Sequence, residues 1–247
     1  MKIRIIVFMI FLIPFMMDSI EIVDLNFFIE PRFEAAEIES LTTIIKNSLC
    51  DSIEQVNFFA GRILKNAESD SLVLFALNTL TCNFASPTDY LFYEKNSNVN
   101  LLASNIFSDS ISILENAIIE SDSFKVGIFS LYSPDFTVKN EINPSANFEF
   151  DVFKVAEKQV NILKEKTDFI ILLSNLTKFI DEDIVKNLPI DAVISFDYQS
   201  KRDELFSNKR THFYSVLTKY GKFGKLRLKY EKGKIKKEWE EIIINSP

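Results

Sequence analysis

The stretch from residue 151 to residue 200 constrains the fold most, because it alternates helical and strand patterns twice. Its first part, "DVFKVAEKQVNILKEK", repeats apolar residues along one face of a helix. The apolar run "DFIILLS" follows directly, then the short helix "DEDIVKNL" with acidic residues in its first turn, and then a second apolar run, "DAVISF". Helices that alternate with buried strands predict an α/β fold, and a strand-rich C-terminal tail makes the sheet mixed.

Apolar patterns elsewhere in the chain extend this prediction. Strands are predicted over residues 20–25, 71–77, 98–107 and 124–133, and a helix over residues 33–48. From Thr211 onward the tail predicts antiparallel strands, with a hairpin turn at residues 232–234. The segment 134–148, which contains two prolines and several asparagines, predicts a surface loop.

Both apolar runs of the opening stretch stop abruptly at polar residues. Ser174 and Asn175 follow the first run, and Asp197, Tyr198 and Gln199 follow the second. In open α/β sheets the groups that carry out chemistry lie at the carboxyl ends of strands. The sequence therefore predicts that these two strand ends mark a candidate site.

Few residues suited to metal binding or to tight phosphate-binding turns are present. The 247 residues include five glycines, one histidine (His212) and two cysteines, Cys50 and Cys82, which form no CxxC pair. This excludes the common Cys/His zinc sites, and one histidine supports no specific catalytic triad. We interpret His212 as a strand or loop residue. The cysteines leave two alternatives open, a disulfide in an oxidising compartment or buried free thiols.

The first nineteen residues predict a secretory signal peptide. Lys2 and Arg4 precede about thirteen apolar residues, and Asp18 and Ser19 follow. Such a run is shorter than the roughly 20 residues that span a bilayer, so a signal is favoured over an uncleaved N-terminal anchor. We expect residues 20–247 to be exported as a single domain, and to be periplasmic or envelope-associated if the source is bacterial.

The acidic net charge argues against nucleic acid as a partner. The formal net charge is −7, and loss of residues 1–19, which carry two cations and one acid, leaves −8. Basic residues cluster only between Lys219 and Lys237, where nine lysines and arginines accompany one acid, Glu231. We interpret this cluster as the solvated face of the predicted hairpin. Membrane contact is expected only through an uncleaved N-terminal segment.

Four connected phrases match one known family in the same order. "SNIF" followed by "FKVGIFSLYSPD" is similar to an "aNv" element and a "kVGiiGlttp" strand. "FDVFKVAEKQVNILKEKTDFIILLSNL" is similar to a helix that leads to "vvlLsHlG", and "LPIDAVISFDYQ" lies where "vpgiDvvigGHsH" or "GHsQ" occurs. "YGKFGKLRLKYEKGKI" is similar to the closing hairpin "yGkylGrldl". Over residues 98–235 the chain thus resembles the calcineurin-like metallophosphoesterases, in particular the catalytic domain of the secreted 5'-nucleotidases.

The resemblance implies a four-layer αββα sandwich of two mixed β-sheets, without the family's C-terminal substrate domain. It also implies a site where two metal ions about 3.5–4 Å apart clamp a phosphate and activate a water. The family's D-x-H falls on Asp24 and Asn26, its G-D on Leu77 and Asn78, and the histidine of "LsH" on Asn175. In the final G-H-x-H/Q motif, Asp197 takes the position of the first histidine and Gln199 takes the last position. The G-N-H-E loop has only Asn96 as a counterpart.

The ligand chemistry of these positions predicts a degenerate site. Amides are neutral, weak ligands, so replacing a bridging carboxylate and three imidazoles removes most of the affinity for two dications. Side chains at Leu77, Ser195 and Phe196 also stand where the family has glycines, and Phe196 is expected to fill space needed by a metal or substrate. Asp24 and Asp197 are equally consistent with carboxylates that cap helices or accept hydrogen bonds from backbone amides as with metal ligands. The asparagines are equally consistent with Asx-turn residues.

Two functions remain in view from the sequence. The first is an exported, non-catalytic 5'-nucleotidase-like domain that binds a protein or a small phosphorylated ligand, or that has a structural role in the cell envelope, with no cofactor. The alternative is a phosphoesterase or nucleotidase with an oxygen-rich site that holds Mn²⁺, Mg²⁺, Ca²⁺ or Zn²⁺. The residues of that site would be Asp24, Asn26, Asn78, Asn175, Asp197 and Gln199.

Overall fold

A computed structural model describes residues 20–29, 43, 54–60, 76–87, 99–109, 111–133, 146–195, 210–215 and 222–243. The strands are β1 (Glu21–Ile29), β2 (Glu54–Ala60), β3 (Phe84–Ala85), β4 (Asn100–Leu102), β5 (Ile106–Ser108), β6 (Ile113–Leu114), β7 (Asn116–Glu120), β8 (Lys125–Leu131), β9 (Ala146–Phe148), β10 (Phe169–Ser174), β11 (Ala192–Ser195), β12 (His212–Ser215), β13 (Lys222–Glu231) and β14 (Lys234–Ile243). Two helices longer than one turn lie in these ranges, α1 (Val152–Leu163) and α2 (Lys178–Asn187).

Two mixed sheets and a short ribbon contain these strands. Seven strands form one sheet in the order β14-β13-β1-β2-β3-β4-β6, in which β1, β2, β3, β4 and β6 are parallel and β13 is antiparallel to β1. Five strands form the other in the order β12-β11-β10-β8-β7, of which β7 alone is antiparallel. The ribbon pairs β5 with β9.

The main core lies between the two sheets. Alternate residues of each central strand face it because successive side chains of a strand point to opposite faces. Trp239 of β14 stacks on Tyr214 of β12 with ring centroids 4.7 Å apart, so the C-terminal hairpin crosses over the five-stranded sheet. The buried side chains of β1, β8 and β10 that face this core are Val23, Leu25, Phe27, Ile29, Val126, Ile128, Phe169, Ile171 and Leu173.

The outer face of the five-stranded sheet is covered by α1 and α2. Asp151 is the N-cap of helix α1, and its carboxylate accepts a hydrogen bond from the backbone N–H of Lys154 at 3.0 Å. The apolar stripe of α1 packs on the strand residues that point away from the main core, among them Phe129 and Ile170. An amphipathic helix on each parallel crossover is what the alternating pattern of residues 151–195 predicts, and the structure confirms it.

The hairpin of β13 and β14 has a two-residue turn. Lys232 and Gly233 both have positive φ, at 52° and 74°, which is the geometry of a type I′ turn. The two ten-residue strands pair along their whole length, from Glu231 opposite Lys234 to Lys222 opposite Ile243. The predicted turn at residues 232–234 is confirmed within one residue.

Three strand predictions need correction. Residues 76–79 are helical, so the strand predicted over 71–77 does not include Ala76 and Leu77. The second strand of the described chain is β2, which the sequence patterns missed. The predicted strand over 98–107 is broken at residues 103–105 into β4 and β5.

One strand of the C-terminal tail pairs differently from the prediction, and several predicted segments lie outside the described residues. Strand β12 runs parallel to β11 rather than antiparallel, and a tight hairpin cannot join two parallel strands. Residues 1–19, most of the predicted helix 33–48 and most of the loop 134–148 lie outside the described residues. Within the described ranges, no helix is both long enough and apolar enough to cross a membrane.

Candidate functional site at the carboxyl edges of the sheets

The carboxyl ends of β10 and β11 bring two serines side by side. Ser174 and Ser195 are register partners in the parallel pair. The Ser174 hydroxyl donates to the carboxylate of Asp181 on α2 at 2.5 Å and accepts from the backbone N–H of Leu176 at 3.0 Å. The Ser195 hydroxyl is buried with no hydrogen-bond partner in the described structure. Ser174 therefore ties the end of β10 to α2, whereas Ser195 makes no such tie.

Asn175 lies just beyond the end of β10 and contacts the end of β8. Its side-chain oxygen accepts a hydrogen bond from the Ser133 hydroxyl at 2.9 Å, and its backbone N–H donates to the carbonyl of Leu131 at 2.9 Å. The residue is buried, with 6% of its surface exposed. The structure thus places Asn175 at the sheet edge where the sequence predicted it.

Asn105 performs a structural task beside this edge. Its side chain donates to the carbonyl of Tyr132 at 2.8 Å and accepts from the backbone N–H of Tyr132 at 3.0 Å. The two bonds join the segment after β4 to the segment after β8, so the two sheets are connected at their carboxyl edges. Burial raises the pKa of the Tyr132 hydroxyl, which donates to the carbonyl of Leu102 at 3.1 Å.

Asp24 is buried inside β1 and paired with an arginine. Both carboxylate oxygens accept hydrogen bonds from Arg227 of β13, from Nε and from a terminal nitrogen, each at 2.8 Å. The Nζ of Lys225 lies 4.0 Å from the same carboxylate. The bond to Asp24 raises the pKa of Arg227, and a bidentate pair of this kind leaves the carboxylate little capacity for another cation.

Asn26 lies on the same face of β1 and takes part in a chain of amides. Its side-chain nitrogen donates to the side-chain oxygen of Asn57 on β2 at 2.9 Å. Asn57 in turn donates to the carbonyl and the hydroxyl of Thr81, both at 3.1 Å. The side-chain oxygens of Asn26 and Gln55 are buried without a hydrogen-bond partner in the described structure. These amides hold the turn at residues 80–83 against the sheet.

The predicted site residues do not form one cluster in the described structure. Asp24 and Asn26 lie within β1, which continues to Ile29, so they are not at its carboxyl end. Asn78 is exposed on the helical turn of residues 76–79. Asn175 belongs to the other sheet, and no described contact joins it to Asp24. Asp197, Gln199, Asn96, Phe196 and Cys50 lie outside the described residues, as does any test of a disulfide to Cys82.

The described donors do not fit a two-metal centre. No group of three or more histidine, cysteine, aspartate or glutamate side chains that could hold a metal ion occurs in the described ranges. The carboxylate of Asp24 is neutralised by Arg227, and the oxygen of Asn175 is taken by Ser133. Divalent metals need several deprotonated ligands at one place, which these residues do not supply.

The sequence patterns did not reveal the residues that bind Asp24, Asn26 and Asn175. Arg227 is 203 positions from Asp24, Asn57 belongs to a segment in which no motif was found, and Ser133 lies in the phrase "FKVGIFSLYSPD" but was not assigned to the site. One signal was present: "KLRLKY" places Lys225, Arg227 and Lys229 on one face of a strand, and such a basic stripe needs acidic neighbours when the face is buried.

The fold is that of known phosphoesterases. A 5'-nucleotidase precursor from Thermus thermophilus matches with a TM-score of 0.67 and 13% identity, over 92% of this chain and 55% of that one. The NAD nucleotidase of Haemophilus influenzae matches with a TM-score of 0.65 and 13% identity, over 92% and 57%. A phosphatase from Mycoplasma pneumoniae matches with a TM-score of 0.60 and 11% identity, over 94% and 96%.

These likenesses define the class of fold. The protein has the calcineurin-like metallophosphoesterase fold, and the four-layer αββα arrangement of two mixed sheets is confirmed. The chain spans about half the length of the 5'-nucleotidase precursor and of the NAD nucleotidase that it matches. No protein-family model matches the sequence, and no curated protein matches it either.

Proposed function

We propose that the protein is an exported, degenerate 5'-nucleotidase-like domain that no longer catalyses phosphoester hydrolysis and serves as a binding or structural protein of the cell envelope. The observation that carries this proposal is the state of Asp24. It is the one charged residue among the described site candidates, and its two oxygens are held by Arg227. A carboxylate in a bidentate pair with a guanidinium is a poor ligand for a dication, because the metal would have to displace the arginine.

The topology of the seven-stranded sheet supports a second step of the proposal. We predicted the family's G-D pair at Leu77 and Asn78 because residues 71–77 read as the second strand, but the second described strand is β2. The residues that follow β2 in the sequence are Gly61 and Arg62. If the G-D pair belongs after β2, an arginine replaces the bridging carboxylate, and a cation there repels a dication.

The strand next to β2 supports the same conclusion for the G-N-H-E loop. This strand is β3, which ends at Ala85 and is followed by Ser86 and Pro87. Ser86 is buried, and its backbone N–H donates to the carbonyl of Phe59 at 2.8 Å. A serine and a proline offer no imidazole or carboxylate, so this loop supplies no strong metal ligand if it replaces the motif.

The role that remains to such a domain is binding or scaffolding. Its strand-end contacts need no metal: the bond between Asn105 and Tyr132 connects the two sheets, and the bond between Ser174 and Asp181 holds α2 to the end of β10. The N-terminal apolar segment favours export, as a signal or an anchor. The partner is proposed to be a protein or a small phosphorylated ligand, and no cofactor is proposed.

An assay of metal-dependent hydrolysis tests this function. The full chain in mild detergent is incubated with Mn²⁺, Mg²⁺, Ca²⁺ or Zn²⁺ and with a nucleoside monophosphate or an aryl phosphate. We expect no rate above the metal-free blank. Metal-dependent turnover that falls at least tenfold in both Asp197→Asn and Asn175→Ala would support the oxygen-rich phosphoesterase instead.

The choice of variants follows from the structure. Asp24→Ala is unsuitable as a catalytic probe because it leaves Arg227 without its partner and perturbs folding. Asp24→Asn, which keeps the shape of the side chain, is the matched alternative. Turnover that is unchanged in all of the variants would identify a contaminating phosphatase.

A further inference from the structure

Strand β14 forms an edge of the seven-stranded sheet. In the described residues it pairs with β13 on one side only. It is ten residues long, and its side chains alternate between half-buried and exposed over most of its length. A long edge strand exposes a row of unpaired backbone groups, which natural proteins block with charge or cover with another strand.

The hairpin determines which backbone groups of β14 point outward. Because the turn has two residues, the flanking pair Glu231–Lys234 is a hydrogen-bonded pair, and every second pair along the hairpin is of the same kind. The even-numbered residues of β14 therefore bond to β13. The odd-numbered residues direct their N–H and C=O groups outward, and these are Ile235, Lys237, Trp239, Glu241 and Ile243.

The charges of β14 are separated along the strand. Its sequence is "KIKKEWEEII", with three lysines in the first half, Lys234, Lys236 and Lys237, and three glutamates after them, Glu238, Glu240 and Glu241. Lysines spread over a whole edge strand would repel any second strand. A strand that is basic in one half and acidic in the other is instead complementary to an antiparallel copy of itself.

One antiparallel register uses this complementarity best. If the twofold axis passes through Trp239, the five outward-facing residues pair among themselves, Ile235 with Ile243, Lys237 with Glu241 and Trp239 with its copy. Five such pairs make about ten backbone hydrogen bonds. If the axis passes through Glu238 instead, about eight backbone hydrogen bonds remain. Glu238 then lies opposite its own copy, and Ile235 lies opposite Glu241, so this register is less favourable.

The favoured register has one unfavourable contact on the other face of the sheet. Glu238 of one copy lies opposite Glu240 of the other. Arg227 is the cross-strand neighbour of Glu238 on β13, and Lys225 is that of Glu240, so a cation stands beside each glutamate. Both glutamates raise the pKa of Arg227 further, after the larger effect of Asp24. The repulsion is therefore partly neutralised within each chain.

We propose that β14 is a homodimer interface, in which two copies pair antiparallel about Trp239 and join their seven-stranded sheets into one continuous sheet. Such a contact is isologous, as expected for a twofold dimer. The partner is a second copy of this chain rather than an unrelated peptide, because the charge pattern of the strand matches itself.

Cysteine crosslinking tests the pairing and its register. Two full-length variants, Glu238→Cys and Glu240→Cys, are oxidised with diamide, singly and as an equimolar mixture. Opposite residues that are not hydrogen-bonded have Cα atoms about 4.5 Å apart, within reach of a disulfide. In the proposed register, residue 238 lies opposite residue 240 of the copy, whereas two residues 238 are about 8 Å apart. The unsubstituted chain, which retains Cys50 and Cys82, measures the background.

The expected result is a covalent dimer in the mixture at several times the level of either variant alone. Crosslinking of Glu238→Cys with itself at the level of the mixture would overturn the register. The absence of crosslinked dimer above background in every sample would overturn the interface.

Sedimentation of the full chain in density-matched detergent gives an independent test. Glu241→Pro removes an outward N–H without removing a bond to β13, and Glu241→Ala is the matched control that keeps the N–H. We expect a dimer at micromolar concentration, and an association at least tenfold weaker for the proline variant than for the alanine variant. A wild-type chain that remains monomeric at 100 μM, or equal association of the two variants, would contradict the proposal.

Discussion

Each sheet carries a buried carboxylate on its outer face, and the two are held in different ways. Asp24 on the seven-stranded sheet is 1% exposed and bound by a guanidinium, with Lys225 nearby. Asp181, on the helix that covers the five-stranded sheet, is fully buried and accepts a hydrogen bond from the hydroxyl of Ser174. One carboxylate joins two strands, and the other joins a strand end to a helix.

This difference shows that the two sheets of this phosphoesterase fold use a buried carboxylate in different stabilising contacts. In such a fold the strand ends would present carboxylates to metals, whereas Asp24 and Asp181 take part in folding contacts here. A bidentate ion pair is selective and costly to break, because the remaining charge stays buried. The hydrogen bond from the Ser174 hydroxyl to Asp181 is weaker, and it depends on the position of α2. The two sheets should therefore respond differently to the loss of one partner.

The largest loss of stability is expected for a substitution on the seven-stranded sheet. Arg227→Ala leaves the buried Asp24 with Lys225, at 4.0 Å, as its one remaining cation among the described residues, and it should lower the free energy of unfolding by about 3 kcal/mol. The side chain of Arg227 is 35% exposed, which keeps the cost at the lower end of values for buried pairs. Urea denaturation followed by circular dichroism measures the change.

A double variant separates the ion pair from the packing around it. Asp24→Leu/Arg227→Met removes both charges together, and its stability should lie within about 1 kcal/mol of wild type. If the double variant is as unstable as Arg227→Ala, the loss comes from packing, and the ion pair does not hold β1 to β13.

A smaller effect is expected at the carboxyl end of β10. Ser174→Ala removes the hydrogen bond to Asp181 and the one from Leu176, and it should destabilise the protein by about 2 kcal/mol. Ser195→Ala is the matched control on the neighbouring strand, because the hydroxyl of Ser195 has no partner in the described structure. The control should be neutral or slightly stabilising in the same urea titration, and equal losses in the two variants would contradict the difference between these serines.

A still smaller effect is expected where α1 meets the five-stranded sheet. A Cβ added at Gly127 of β8 would lie 2.9 Å from Leu163 Cδ2 and 3.0 Å from Thr167 Oγ1. Because Leu163 can move, Gly127→Ala should cost only about 1 kcal/mol. A thermal melt checks this, with Gly233→Ala as a contrast: there the positive φ of 74°, and not a contact, is the source of strain.

The smallest effect on stability is expected from the titration of His212, at the amino edge of the five-stranded sheet. Burial and, secondarily, the charge of Lys237 lower the pKa of His212 below its ordinary 6.5. Asp191, Arg210 and Tyr214 also lie near these two residues in the described structure. The unfolded chain binds the proton more readily, so the contribution of His212 is present above pH 6.5 and is lost as the pH falls.

The melting temperature measured at pH 7.5 and at pH 5.5 tests this sign. We expect wild type to lose slightly more stability over this interval than His212→Gln, whose side chain does not titrate. Equal losses in the two proteins would show that His212 does not contribute.

The helix and strand pattern of residues 151–195 could be predicted because each element is long, periodic and local. Strand β2 was missed because "EQVNFFA" mixes polar residues with apolar ones, and Gln55 and the buried Asn57 lie on the outer face of the sheet. Residues 71–77 were assigned to a strand because a short apolar run has no period that separates a strand from a buried helix.

The site could be predicted only in part. Asn175 was located because an abrupt stop after an apolar run is a local signal. The role of Asp24 could not be read locally, since its partner Arg227 is brought to it by a pairing between distant strands. The same pairing places Asp24 within a strand that continues to Ile29, whereas the sequence suggested a strand end at Leu25.

Metal stoichiometry is the most direct test of the proposal that this fold has kept its sheets and lost its metal pair. The full chain is equilibrated by dialysis against 100 μM Mn²⁺ and, separately, Zn²⁺ at pH 7.5, and bound metal is measured per chain by mass spectrometry. Fewer than 0.2 ions per chain are expected, unchanged in Asp24→Asn and Asp197→Asn. Two ions per chain, lost in either variant, would contradict the loss of the metal centre.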